Sequence, residues 1–127
     1  MTAPLLQPTN ALTVVRGTSK VLQATITKPD GSYYDITGGR LILTVKCSVY
    51  DDLPTIQKQT SIPAQGVITL PRQGIAEFYF QPSDTQGLAA RDYIFDVWLI
   101  TASGERYCVV QQSTFVVQAG VTYLPLS

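Results

Sequence analysis

The chain has 127 residues, nine basic and nine acidic side chains, no histidine, and a formal net charge of zero. This length favours a single domain. The charges are scattered and no apolar run reaches the roughly 20 residues of a bilayer-spanning helix, so neither nucleic acid nor a membrane is an expected partner.

Residues 1–10 are predicted to form an N-terminal arm. They lack the basic region and the long apolar region of a secretory signal, so we expect synthesis in a cytoplasm. They nevertheless contain Leu5 and Leu6, and free tails are seldom apolar. Two interpretations remain open: the arm packs on its own domain, or it docks on a neighbouring subunit.

Residues 11–118 are predicted to form one antiparallel β-sandwich. Strand-like runs of alternating apolar and polar residues recur about every ten positions, with turn residues between them, and no amphipathic helix is predicted. The expected strands are 13–15, 21–27, 40–48, 55–59, 67–70, 75–80, 92–101 and 106–117, the last being one long strand or two short ones. The predicted class is therefore all-β, with seven to nine strands.

The clearest strand is 92–101. Its odd positions are all apolar or aromatic and are predicted to face the core: Tyr93, Phe95, Val97 and Leu99. Its even positions are mixed and are predicted to lie on a partly wet face: Asp92, Ile94, Asp96, Trp98 and Ile100. Period-two alternation of this kind is typical of a strand with one buried face.

Three further expectations concern single positions. The sequence Lys28-Pro29-Asp30-Gly31 predicts the tight turn of a hairpin. Lys58 lies in a polar run, where it would protect an exposed sheet edge from strand addition. Cys47 and Cys108 are predicted to be buried, free thiols, because a cytosolic protein rarely forms disulfides; a cystine joining the two sheets is the alternative.

Residues 119–127 are predicted to form a second, C-terminal arm, with the same two interpretations as the first. If both arms dock on neighbours, the candidate interface residues are Leu5, Leu6, Tyr123, Leu124 and Leu126.

The residue types of catalysis are scarce. Without histidine the chain lacks the commonest general base and metal ligand, and two cysteines about sixty residues apart do not make a zinc site. Asp51-Asp52 is followed by no further acidic calcium ligand, so a solvated turn is expected there. Asp92 and Asp96 are about 13 Å apart along one strand, too far for a glycosidase pair.

Two smaller sites receive structural interpretations as well. Asp84 is expected to bond nearby backbone amides. Gly38-Gly39 is predicted to be a turn, because the lysine of a phosphate-binding loop is missing. We therefore predict no enzyme, no catalytic residue, no metal, no cofactor and no small-molecule substrate. Carbohydrate binding through an exposed Trp98 or Tyr79 remains open.

A series of short motifs runs in order along the chain. The motifs are Arg16-Gly17-Thr18-Ser19, Pro29-Asp30-Gly31, Asp35-Ile36-Thr37-Gly38, Val45-Lys46, Ile56-Gln57-Lys58, Gly66-Val67-Ile68, Pro82-Ser83-Asp84-Thr85, Tyr93-Ile94-Phe95-Asp96-Val97 and Ser113-Thr114-Phe115-Val116-Val117. Their order resembles small immunoglobulin-like domains of tailed-bacteriophage virions, like the N-terminal domain of phage baseplate upper proteins. Arg91 and Ser113 stand where that family has glycine, so those turns are expected to differ.

The resemblance implies an immunoglobulin-like sandwich and a non-enzymatic structural protein of the virion, synthesised in the host cytoplasm. Its place would be in the tail or baseplate, or on the capsid as a decoration or cement protein. Its partners would be other virion proteins, met in multiple symmetric copies. The alternative is a carbohydrate or host-surface adhesion module.

Overall fold

A computed structural model describes residues 12–120 and the backbone of Leu5–Leu6. Its strands are β1 (Leu5–Leu6), β2 (Leu12–Val15), β3 (Lys20–Thr27), β4 (Arg40–Lys46), β5 (Ile56–Gln59), β6 (Gly66–Leu70), β7 (Ile75–Phe80), β8 (Asp92–Ile100) and β9 (Arg106–Gln118). A 3₁₀ turn, Pro71–Gln73, precedes β7, and a short helix, α1 (Pro82–Gln86), follows it. The eight predicted strands are all present, with ends that differ by no more than two residues.

The strands form two sheets, because one face of nearly every strand is apolar and must be covered. The four-stranded sheet has the order β1-β3-β7-β6, and the five-stranded sheet has the order β2-β9-β8-β4-β5. Every pair is antiparallel except β2 with β9, which is parallel. The chain is an immunoglobulin-like β-sandwich, as predicted.

A cluster of aromatic side chains lies within the mainly aliphatic core between the sheets. Phe80 lies 5.6 Å from Phe115 between ring centroids, and Phe95 meets the same ring edge-on at 6.3 Å. The four predicted core positions of β8 are all buried. This confirms the alternation that the sequence shows there.

The start of β8 carries a tyrosine corner, a hallmark of immunoglobulin-like sandwiches. The Tyr93 hydroxyl donates to the carbonyl oxygen of Ala89 at 2.9 Å and so fixes the entry to the strand. Two residues later, where antibody domains place a disulfide cysteine, stands Phe95. Cys47 and Cys108 are both free, as predicted, so this core packs around an aromatic cluster instead of a cystine.

The predicted tight turn after β3 is present: the Gly31 amide donates to the Lys28 carbonyl at 2.8 Å. Pairing across the turn is limited to one antiparallel bridge, between Thr27 and Tyr33. The chain then crosses to the other sheet. Ile36 is buried and its amide donates to the Pro71 carbonyl at 2.8 Å, which carries the segment over the edge of the sandwich.

The predicted burial of the cysteines is wrong. Strand β4 ends at Lys46, because the Asp51 carboxylate binds the backbone amides of Cys47 and Ser48 at 3.1 Å and starts a turn; the Cys47 side chain is exposed. Cys108 is half-buried and lies opposite Trp98. Two register shifts against β8 add two residues to β9, so the alternation of β9 keeps its parity: Phe115 is buried, and Cys108 lies on the outward side with Trp98.

These positions predict different thiol reactivity. Burial and the carboxylate of Asp96 raise the pKa of Cys108, whereas Cys47 is exposed, and only the thiolate is nucleophilic. We expect iodoacetamide at pH 8 to modify Cys47 about tenfold faster or more. Mass spectrometry of peptides from the C47S and C108S variants measures each rate alone. Equal rates in the two variants would contradict this assignment.

Candidate interaction surface

The short helix α1 is the point where several of the sequence motifs meet. The Lys58 ammonium lies 2.7 Å from the Asp84 carboxylate, with side-chain exposures of 7% and 20%. The same ammonium lies 5.9 Å from the centroid of the Phe80 ring. Lys58 therefore faces the interior, and the prediction that it protects an exposed edge is wrong. The alternation of β5 decides this, because Ile56 and Lys58 share the buried face.

Asp84 and Thr85 also bind backbone groups. Asp84 accepts the Gln81 amide at 2.6 Å, which caps α1 as predicted for this residue. The fully buried Thr85 hydroxyl accepts the Gly17 amide at 2.9 Å, and Arg16 donates to the Leu88 carbonyl at 3.3 Å. Hydrogen bonds and an ion pair therefore join the Arg-Gly, Ile-x-Lys and Pro-x-Asp-Thr motifs. Their contacts within the fold explain all three motifs without a ligand.

The aspartates in the turns also accept hydrogen bonds from neighbouring residues. The side chain and amide of Ser32 donate to Asp30, and those of Thr37 donate to Asp35; these hydrogen bonds hold the pKa of each carboxyl below its usual value. Asp51 closes the turn after β4, as expected for a solvated turn. In residues 12–120 no three side chains of the metal-binding types come together.

The outer face of the five-stranded sheet carries the most unusual surface of the described chain. Four of its outward side chains on β4 and β8 are apolar: Ile42, Ile94, Trp98 and Ile100, with Thr44 and Asp96 between Ile94 and Trp98. Together with the loop 47–54 they line a depression of about 510 Å³. The indole of Trp98 is 41% exposed, and its Nε1 donates to the Asp96 carboxylate at 3.1 Å, which fixes the ring.

The loop 47–54 borders the depression through Val49, Asp52 and Pro54, and it carries exposed apolar side chains. Tyr50 is 90% exposed, Leu53 79% and Val49 54%. The loop is nonetheless well braced, because Asp51 binds two backbone amides and its own carbonyl accepts the Lys46 ammonium at 2.9 Å. The exposure of these residues was not predicted from the sequence. The available signal was three large apolar side chains inside a turn, where polar residues normally dominate.

Charges of opposite sign lie at opposite ends of the outer face. Arg40 and Arg106 flank Ile100 on the two neighbouring strands. Asp52 lies in the loop 47–54 at the other end, and both Asp52 and Arg106 line the depression. In the part of the chain that the structure describes, Arg40, Arg106 and Asp52 form no ion pair.

The arm residues predicted to be an interface are only partly within the structure. The backbone of Leu5–Leu6 pairs with Thr27 and Ile26 of β3, so this piece of the N-terminal arm belongs to the four-stranded sheet. Tyr123, Leu124 and Leu126 lie outside the described residues. Contact of these five side chains with a neighbour stays a prediction.

The two aromatics considered for carbohydrate binding do not meet. Trp98 lies on the outer face of the five-stranded sheet, whereas Tyr79 lies on β7 of the other sheet, with its hydroxyl 3.4 Å from the Glu77 carboxylate. An aromatic patch built from both is therefore ruled out by the fold. No helix in the described residues is long and apolar enough to span a bilayer.

Solved structures share the fold at low sequence identity. CopC from Methylosinus trichosporium OB3b is 10% identical, with a TM-score of 0.52 over 95% of this chain and 99% of that one. The GspB Siglec domain is 18% identical, with a TM-score of 0.55 over 98% of this chain and 61% of that one. The sialic acid binding region of a Streptococcus sanguinis SK1 adhesin is 14% identical, with a TM-score of 0.50 over 98% of this chain and 32% of that one.

No family model matches the sequence, and no curated protein matches it. This chain spans only about three fifths and one third of the GspB and adhesin structures. At these identities the likeness concerns the fold, and the function has to be argued from the surface.

Proposed function

We propose that this chain is a non-enzymatic structural subunit of a tailed-phage virion, either a tail or baseplate component or a capsid decoration protein. It acts by contact with other virion proteins. The observation that carries the proposal is the apolar surface formed by the outer face and the loop 47–54, where Tyr50 is 90% exposed on a braced turn. The virion itself is inferred from the order of sequence motifs.

The exposed apolar area and the rigidity of the loop 47–54 both favour binding to another protein. Contiguous exposed apolar surface is unusual on a monomer and marks contact sites. A tyrosine on a rigid turn loses little conformational entropy when it binds, so it is well suited to anchor an interface. Repeated over symmetric copies, modest contacts of this kind add up to stable attachment.

Incorporation into particles tests the proposal. Phage particles assembled with a tagged chain should carry the tag at one location in electron micrographs, either around the tail end or over the head. The double variant Y50A/L53A should reduce incorporation at least about tenfold, since anchor residues contribute about 2 kcal/mol or more each. Tyr33→Ala is the matched control, because Tyr33 is 61% exposed but lies in the segment after β3, not in the loop 47–54.

Two results would count against the proposal. The first is a chain that is abundant in infected cells but absent from purified particles. The second is equal loss of incorporation by Y50A/L53A and by Tyr33→Ala, because it would show no role for the loop 47–54.

A carbohydrate or host-surface adhesion module is a second candidate, favoured by one observation: an exposed, fixed indole at Trp98 in a depression that also has polar walls. Two of the similar structures are named for a Siglec domain and for sialic acid binding. Glycan-array binding by the isolated chain, lost in Trp98→Ala, would support this candidate. Particle incorporation that survives the same substitution would separate it from the structural role.

A further inference from the structure

We propose that the depression on the outer face of the five-stranded sheet binds a neutral saccharide, with one sugar ring on the indole of Trp98 and its hydroxyl groups on a row of polar side chains. We call this row the polar row; its members are Gln112, Asp96, Thr44 and Gln57, which all line the depression. The inference rests on the second candidate function, the adhesion module, and deepens it by naming the ligand class and the residues that contact the ligand.

The polar row crosses the middle of the sheet from β9 to the edge strand β5. Thr44 pairs with Asp96 on one side and with Gln57 on the other. Gln112 completes the row on β9, because the nearest paired residues on each side of it are the partners of the two neighbours of Asp96. Adjacent strands lie about 4.8 Å apart, so the four positions span about 14 Å.

Larger side chains stand on both sides of the polar row. Trp98 pairs with Ile42 on one side, and Ile94 pairs with Lys46 on the other. Two residues of strand, or about 7 Å, separate each of these pairs from the polar row. Because aspartate and threonine are shorter than these four side chains, the polar row forms the floor of the depression. The volume of about 510 Å³ is in the range of small-molecule sites, about 300 to 1,000 Å³.

The indole is fixed beside this floor. Its Nε1 donates to Oδ2 of Asp96 at 3.1 Å, while 41% of Trp98 remains exposed. The C–H groups of a pyranose ring form an apolar surface that can lie on an aromatic ring, and the hydroxyl groups point outward from the edge of the sugar. Trp98 can provide this contact at little entropic cost, because the indole is already held in place.

The polar row can bond the hydroxyl groups of such a ring. A hydroxyl both donates and accepts, which matches a row that contains a carboxylate, a hydroxyl and two amides. The Asp96 carboxylate has several acceptor sites, of which the indole N–H uses one. Nε2 of Gln57 donates to the Thr44 hydroxyl at 3.3 Å, which leaves the amide oxygen of Gln57 and the hydroxyl hydrogen of Thr44 for a ligand. A purely apolar ligand would instead cover these groups without bonding them, which is costly.

The charges of the depression favour a neutral sugar. Asp96 is the charged member of the polar row, and it lies next to the indole. A carboxylate on the ring that covers Trp98 would therefore approach the Asp96 carboxylate, and like charges are unfavourable at an interface. Lys46 is directed to the Asp51 carbonyl, in a turn that also carries the carboxylates of Asp51 and Asp52. Arg106 is level with Ile100, about four residues or 14 Å along the strand from the polar row.

Tryptophan fluorescence tests the proposal directly, because the chain has a single tryptophan and its emission reports on this site. The probes are maltotriose, mannotriose, galactotriose and 3′-sialyllactose. We expect at least one neutral trisaccharide to change the emission with a Kd of about 1 mM. The sialylated sugar should bind at least about tenfold more weakly than that trisaccharide.

Variants of the polar row test its role in binding. Asp96→Asn keeps an oxygen for the indole N–H but replaces a charged acceptor with a donor, so we expect about tenfold weaker binding of the neutral sugar. Gln112→Ala should weaken binding about fivefold, by the loss of one neutral hydrogen bond. Gln111→Ala is the matched control, because Gln111 is the adjacent exposed glutamine but does not line the depression. Its affinity should stay within about twofold of the wild type. Circular dichroism verifies the folding of each variant.

Absence of any response to the neutral sugars at about 20 mM would overturn the proposal. Equal losses in Gln111→Ala and Gln112→Ala would do the same. Preferential binding of 3′-sialyllactose, weakened by Arg106→Gln, would assign the depression to an acidic sugar and leave the adhesion candidate in place. Glycan-array binding that survives Trp98→Ala would also keep that candidate but exclude this site. The structural role is decided separately, by incorporation of the wild-type chain into particles.

Discussion

The Asp84→Asn variant is expected to lose about 3 kcal/mol of unfolding free energy. The asparagine has the same shape and can still accept the Gln81 amide, so the cap of α1 is kept. What is lost is the negative charge 2.7 Å from the Lys58 ammonium, whose side chain is only 7% exposed. A buried ammonium without its counter-charge carries a large desolvation cost. Urea unfolding followed by circular dichroism measures the difference.

A substitution of Lys58 tests whether the lost stability comes from its isolated charge or from a change in packing. Lys58→Met keeps an unbranched stem on the Phe80 ring and removes the charge. In the double variant K58M/D84N neither charge remains, so we expect most of the lost stability to return, as buried ion pairs are often replaceable by apolar groups. A double variant no more stable than D84N would show that the loss came from the cap and not from the isolated ammonium.

Gly74→Ala is expected to be at least as damaging, at about 4 kcal/mol. Gly74 has a φ of 71°, in the left-handed region that disfavours side chains. A Cβ at this position would also overlap the carbonyl oxygens of Ile26 and Tyr34. The Gly74 carbonyl accepts the Ile26 amide at 2.8 Å, so the backbone cannot move away without breaking this bond.

Gly31→Ala is the matched control for this substitution. Gly31 has a φ of 89°, but a Cβ there would meet nothing within 4 Å. Only the backbone preference is then lost, and we expect a change of about 1 kcal/mol. Thermal or urea unfolding of both variants isolates the steric part. Similar losses in the two variants would contradict the close packing assigned to Gly74.

Strand positions were predictable here because period-two alternation depends on local sequence alone. Tyr93 to Leu99 in β8 and Ala76 to Phe80 in β7 are clear examples, since one face of each is apolar and the other mixed. Alternation did not predict where strand β4 ends. Cys47 lies in a turn because its amide donates to the Asp51 carboxylate.

The candidate surface was predictable only in part. The partly wet face of β8 was recognised, including Trp98. The loop 47–54 was not recognised, because a sequence does not show that apolar turn residues such as Tyr50 and Leu53 stay exposed. Lys58 is the reverse case: a lysine in a polar run predicts an exposed position, and only its contact with Asp84 explains its burial.

By itself the sequence determined the all-β class, the position of the described strands and the scarcity of catalytic residue types, since these depend on local alternation, turn residues and composition. Tertiary structure decided how the strands divide between two sheets, which residues of distant motifs meet at α1, and which apolar side chains remain outside the core. The physical reason is that these features are set by contacts between segments far apart in the chain, such as Gly17 with Thr85 and Lys58 with Asp84. Such contacts leave no periodic signal in the sequence.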